Sequence, residues 1–127
     1  MLLKLWRLSN IYMKMPMIIE IDLDGVLFIN EYNNWRDAKP KIESINFVNW
    51  LYDQGHTIRI ATSRYISSPD DWYEDTCKQL KQYGVKYTTL RKKNYYDIKV
   101  DDKCINSVDT LKVLFYKFTD KPWDQLG

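Results

Sequence analysis

A chain of 127 residues is long enough for one hydrophobic core and too short for two domains of ordinary size. Its 45% hydrophobic and 28% charged residues describe a folded globular protein rather than a disordered one. A net charge of +2 gives no reason to expect a membrane or nucleic acid as partner, although a phosphate site needs only local charge.

The start of the chain is apolar, with Leu2, Leu3, Leu5, Trp6, Leu8 and Ile11. It falls short of the roughly 20 residues that span a bilayer, and Lys4 and Arg7 interrupt it. No small-residue cleavage site follows. Residues 1–16 are therefore expected to be an extension, residues 17–127 the folded domain, and the location cytoplasmic. Cys77 and Cys104 lack metal-type spacing and read as free thiols of a reducing compartment rather than as a lone disulfide.

Met17 to Asp22 is a short apolar run ending in an acid, which predicts a buried strand. Val26 to Lys39 has no clear period and reads as a loop or irregular hairpin. A helix is expected from Pro40, with Ile42, Ile45, Val48 and Leu51 on one face and Gly55 as its stop. Thr57 to Ala61 predicts a second strand. Ser68-Pro69-Asp70-Asp71 has the composition of a helix start, with Trp72, Thr76, Leu80 and Tyr83 continuing to Gly84. Val85 to Thr88 and Asp97 to Asp101 predict a third and a fourth strand. Val108, Leu111, Leu114, Phe115 and Phe118 predict a closing helix. Such alternation predicts an α/β domain with a mainly parallel sheet.

Ligands of open parallel sheets gather at the carboxyl ends of the strands. There the sequence sets Asp22-Leu23-Asp24-Gly25, then Thr62-Ser63-Arg64, then Asp101-Asp102-Lys103. Each piece alone is ordinary: a D-x-D-G is commonly a strand-to-turn junction, an Asp pair a solvated loop, a Thr-Ser pair a helix cap. All three in this order, each after an apolar strand, point to a site. Carboxylates clustered as Asp22, Asp24, Asp101 and Asp102 would repel one another unless a hard divalent cation, magnesium by its preference for oxygen, neutralised them. A calcium loop of the EF-hand kind is excluded, because Gly25 is fourth in its run rather than sixth. His56, after Gly55 at a helix end, reads as a surface or capping residue. Arg64 reads equally as a binder of a substrate anion and as half of a structural ion pair.

The run from Ile18 to Val26 resembles the first motif of the haloacid dehalogenase (HAD) phosphatases, an apolar strand followed by D-x-D-G-[TV]. Ile58 to Thr62 is similar to their second motif, and Lys93 to Asp102, with Lys93 eight residues before Asp101, to their third and fourth. Where relatives carry Gly-Lys-Pro, this chain has Arg91-Lys92-Lys93-Asn94, so Lys92 or Arg91 stands as an alternative to Lys93. The spacers Ala38-Lys39-Pro40 and Gly84-Val85-Lys86-Tyr87 also resemble small cap-less members of the capsule-biosynthesis type. The resemblance covers about residues 17 to 106.

It implies a Rossmann-like three-layer sandwich without a cap domain, and a magnesium-dependent phosphatase. Asp22 would be the nucleophile, Asp24 the general acid and base, and Thr62, Ser63, Arg64 and Lys93 the phosphate-binding groups. The Asp22 carboxylate, the Asp24 backbone carbonyl, Asp101 and, through water, Asp102 would hold the Mg2+. The slots for cap insertions, Val26 to Lys39 and Thr89 to Tyr96, are too short for a domain. The site is therefore expected to be open unless the loop of Tyr32 and Trp35, or a partner subunit in a homo-oligomer, covers it. The expected substrate is a small phosphorylated metabolite such as a sugar phosphate. The rival readings are a nucleotidase or polynucleotide 3′-phosphatase, which base-stacking on Trp35 or Tyr32 would support, and a catalytically inactive binding module of the same fold. A signalling receiver domain is excluded by the order of its acids, whose phosphorylated aspartate ends the third strand.

Overall fold

The structure is a computed structural model that describes residues 16–29, 34–103 and 119. The first strand, β1 (Ile18–Asp22), leads to a short antiparallel pair, β2 (Phe28–Ile29) and β3 (Lys39–Pro40), with a 3-10 turn at Trp35–Asp37 between them. Helix α1 (Ile42–Asp53) follows, then strand β4 (Thr57–Thr62), the short helix α2 (Arg64–Ser67), helix α3 (Trp72–Gln82) and strand β5 (Thr89–Lys92). The larger sheet has the order β1-β4-β5, with both pairings parallel. It is an α/β fold with a parallel sheet, compatible with the Rossmann-like expectation.

Burial explains the order. β4 lies between two strands, and Ile58, Ile60, Ala61 and Thr62 are all buried in it, the pattern of a strand covered on both faces. Helix α1 buries Ser44, Ile45, Phe47, Val48 and Leu51, a stripe of helical spacing. Helix α3 buries Trp72, Thr76, Gln79 and Leu80. The irregular hairpin between β1 and α1 contributes Leu23, Leu27 and Phe28, each fully inaccessible to solvent. Full burial of such side chains is worth about 1.5–3 kcal/mol each, which is why a segment without helical or strand period still packs firmly.

Both long helices end in the same way. The amide of His56 donates to Leu51 O and that of Gly55 to Tyr52 O; Val85 donates to Leu80 O and Gly84 to Lys81 O. These paired backbone bonds satisfy carbonyls that a helix end leaves open.

Several boundaries depart from expectation. Pro40 pairs with Phe28 in β3, and the helix begins only at Ile42. Ser68 does not cap α3; its hydroxyl accepts from Trp35 Nε1 at 3.3 Å and from an Arg36 guanidinium nitrogen at 3.2 Å, and α3 starts after Asp71. The third strand forms at Thr89–Lys92 rather than 85–88, because Val85 closes the end of α3 instead. The fourth strand expected at 97–101 does not form: Ile98 and Val100 are 84% and 95% exposed, and without burial that apolar alternation has nothing to pack against. His56 is buried rather than on the surface, with Nδ1 accepting the Met17 amide at 3.1 Å. The closing helix expected at 108–118, the extension over 1–15, Tyr32 and Cys104 lie outside the described residues. Cys77 is a free thiol.

Candidate active site

Parallel strands deliver their last residues to one rim. In register, Asp22 lies beside Ala61, and Thr62 beside Lys92. The ladder then extends one step beyond β5, where the Lys93 amide donates to Thr62 O at 2.9 Å. Asp22, Thr62 and Lys93 are thus neighbours because of sheet register, although 71 positions separate the first from the last.

The side chains meet as well. Lys93 Nζ is 3.2 Å from Asp22 Oδ2, while Asp22 Oδ1 accepts the Leu23 amide at 2.7 Å. Desolvation pulls the Lys93 ammonium towards neutrality, but the Asp22 carboxylate and Tyr96 outweigh it and leave the lysine above its ordinary value. It therefore stands charged at neutral pH. The neighbouring cations point elsewhere: Lys92 lies over the Tyr65 ring, 5.2 Å from its centroid, and Arg91 pairs with Glu20. Of the three basic residues weighed for the lysine, Lys93 is the one beside Asp22.

Asp24 is held by Arg64. Arg64 Nε donates to one carboxylate oxygen at 2.9 Å and a terminal guanidinium nitrogen to the other at 2.8 Å. The Arg64 side chain is only 1% exposed. Its remaining terminal nitrogen donates to Gln79 Oε1 at 2.6 Å and Thr76 Oγ1 at 3.2 Å. The guanidinium carbon lies 4.4 Å from the centroid of Trp35 and 5.6 Å from that of Phe28. A buried guanidinium must satisfy its donors and its charge, and this one does so entirely with protein groups. Arg64 faces inward to Asp24, and its planar fork fixes the carboxylate in orientation.

Thr62 is buried, and its Oγ1 accepts the Arg64 amide at 3.2 Å, whereas Ser63 is exposed. Gly25, at φ +89°, turns the chain so that its amide reaches Phe28 O at 2.8 Å. That backbone region suits glycine, since other L-residues lose energy there. The Gly25 carbonyl accepts from Lys41 Nζ at 2.8 Å, which ties the D-x-D-G turn to the start of α1.

The acids of the expected metal site do not converge. Asp101 accepts the Lys103 amide at 2.9 Å and pairs with Lys99 at 3.6 Å; these contacts hold its carboxyl below the ordinary value. Asp101 and Asp102 are both solvent-exposed. Among the described residues no group of three or more His, Cys, Asp or Glu side chains is arranged to hold a metal ion. The donors are hard oxygens, the right kind for magnesium, but the arrangement is not a cage for it.

Sequence reasoning did not single out Tyr65, Lys41 or Gln79, and read Thr76 only as part of the α3 stripe. Thr76 and Gln79 carried a signal, three residues apart on one face of α3 and polar where the helix should be apolar, which commonly marks a buried polar partner.

No family model and no curated protein sequence matches the chain. Two solved structures are similar to it in fold. One is a crystallised target protein from Vibrio cholerae, 20% identical with a TM-score of 0.63, the match covering 81% of this chain and 98% of that one. The other is a chain of the Pnkp1/Rnl/Hen1 complex, 19% identical with a TM-score of 0.52, the match covering 69% of this chain and 31% of that one. No helix among the described residues is long and apolar enough to cross a membrane.

Proposed function

We propose that this chain is a phosphomonoester hydrolase of the HAD type, built on a cap-less Rossmann-like sandwich over residues 17–127. It would act in the cytoplasm on a small phosphorylated metabolite such as a sugar phosphate. The observation that carries the reading is the Lys93 ammonium 3.2 Å from the Asp22 carboxylate, beside Thr62 and an Asp24 fixed by Arg64. A nucleophilic carboxylate, a cation for phosphoryl oxygens and a second, separately oriented carboxylate are the groups that phosphoryl transfer through a covalent intermediate requires.

In this reading an Asp22 oxygen forms a bond to phosphorus as the ester P–O bond breaks. The leaving oxygen takes a proton from Asp24. In the second step Asp24 takes a proton from water, which attacks phosphorus and releases Asp22. Lys93 neutralises charge on the equatorial oxygens and the Thr62 hydroxyl donates a hydrogen bond to them, with Ser63 at the exposed edge. Both Asp24 oxygens accept from Arg64, so Asp24 must release one of those contacts to carry the proton it delivers to the leaving oxygen. Arg64 acts in this scheme by positioning Asp24. No step is routed through a metal. Magnesium dependence is a separate proposal, which requires the segment carrying Asp101 and Asp102 to close on Asp22.

Trp35 is 4% exposed and stacked on Arg64, so it offers no face to a base. Trp35 therefore lends no support to the nucleotidase or polynucleotide 3′-phosphatase reading; Tyr32, the other stacking candidate, lies outside the described residues. The deciding experiment is phosphate release from a panel of sugar phosphates, nucleoside monophosphates, 3′-phosphorylated oligonucleotides and an aryl phosphate, with and without magnesium. Turnover of sugar phosphates supports the proposal. Turnover confined to 3′-phosphorylated oligonucleotides overturns the substrate class, and orthophosphate binding without any turnover makes the chain a binding module.

A further inference from the structure

Lys93 is the first residue after β5, and from there to residue 103 the chain has no helix or strand. A chain leaving a sheet edge ordinarily frays, yet the proposed phosphate cation sits at this point. Two backbone contacts hold it. One is the bond from the Lys93 amide to Thr62 O. The other comes from the opposite side: Tyr65 Oη donates to the Lys93 carbonyl at 2.8 Å.

Tyr65 is well placed to hold rather than be held. It lies on α2 immediately after the β4 terminus, packs partly buried against the core, and meets Trp72 edge-on with ring centroids 6.3 Å apart. The same β4–α2 junction supplies Thr62 to the rim and Arg64 to Asp24. Resting on the phosphatase reading given above, we propose that Tyr65 is a positioning residue for Lys93: its phenol clamps the Lys93 backbone so that the ammonium stays on Asp22. One three-residue turn, Ser63 to Tyr65, then aligns both the acid–base carboxylate and the phosphate-binding cation with the nucleophile. A drift of about an ångström at such a group is enough to lose much of the rate.

The test uses Tyr65→Phe, which keeps the ring and removes only the hydroxyl, in the full chain. Lysine acetylation is followed by mass spectrometry, with Lys86 as internal control because it pairs with Asp53 at the opposite end of the strands, before β5 and at the last residue of α1. Loss of one hydrogen bond is expected to speed Lys93 acetylation roughly fivefold and leave Lys86 unchanged. In parallel, kcat/KM is measured in a cycle with Lys93→Met. Tyr65→Phe should lower kcat/KM severalfold in the wild-type background and have no effect when Lys93 is already gone. Unchanged Lys93 labelling overturns the inference, as does faster labelling of all lysines with a lower melting temperature, which marks general loosening. If the wild type turns over no phosphomonoester but the labelling change is selective, the phosphatase reading fails and the positioning of Lys93 stands.

Discussion

Asp22 accepts the Leu23 amide on one oxygen and lies 3.2 Å from the Lys93 ammonium with the other, the oxygen that would attack in the proposed mechanism. Replacing it with Asn preserves the shape and the acceptor for the Leu23 amide while removing the negative charge. We expect Asp22→Asn to abolish phosphate release and to melt near the wild type; a variant with substantial turnover would remove Asp22 from the mechanism. Asp24 is a different case, because its partner Arg64 is buried. Asp24→Ala leaves a guanidinium without its counter-ion and is expected to cost about 3 kcal/mol of stability. Asp24→Asn retains one acceptor and should cost distinctly less. Activity of the Asn variant should fall most on alkyl phosphates, whose leaving oxygen needs a proton, and least on an activated aryl phosphate. Equal loss on both substrate types, with equal melting temperatures for Ala and Asn, would contradict both roles of the carboxylate. That Asp24 is a candidate was legible in the D-x-D spacing. That Arg64 belongs to it was not, since 40 positions separate the two and only packing of Trp35, Thr76 and Gln79 turns the guanidinium inward.

At the scale of elements, the turn between α1 and β4 is fastened to the start of β1 by His56. Burial lowers its pKa from the ordinary 6.5, so the folded protein resists a proton that the unfolded chain accepts. The sign follows from linkage. The stability tied to His56 is complete above 6.5 and is lost as pH falls from there towards the lower folded value. Melting temperature measured from about pH 7.5 down to about pH 5.5 should therefore drop in the wild type. His56→Asn, which can still accept the Met17 amide through its side-chain oxygen, should show a flatter profile; an equally steep one would assign the acid sensitivity to other groups. The helices themselves were readable from spacing and from the glycines that end them. Their starts were not. Ser68 looks like a cap but gives its hydroxyl to Trp35 and Arg36, a tertiary use that overrides the local preference.

For the molecule as a whole, the 97–103 segment carries Asp101, which contacts Lys99 and Lys103. If Asp101 closes on Asp22 when magnesium is present, the ion binds only the closed folded form and stabilises it. At about 100 times its dissociation constant it would add about 2.7 kcal/mol. We expect a magnesium titration to raise both the melting temperature and phosphate release, and Asp101→Ala to lose most of each response. Calcium should stabilise without supporting turnover, because its larger and looser shell misplaces the nucleophile. Full activity in excess chelator, or an intact magnesium response in Asp101→Ala, would rule out a metal at this place.

The sequence by itself determined the α/β class, the parallel strands ending at Asp22 and Thr62, and the two long helices. Each of these follows from local chemistry: apolar period, β-branched runs, a glycine after the last helical turn. Tertiary structure decided the rest of the site. It set Lys93 beside Asp22, because alternation turns Lys92 to the other face, onto Tyr65, and Arg91, on the same face as Lys93, lies farther back along β5 against Glu20. It gave Arg64 to Asp24, recruited Tyr65 to hold Lys93, and left Asp101 with Lys99 and Lys103. Charged groups are promiscuous in sequence, since any cation suits any carboxylate; register, burial and the exclusion of water select the pairs that form.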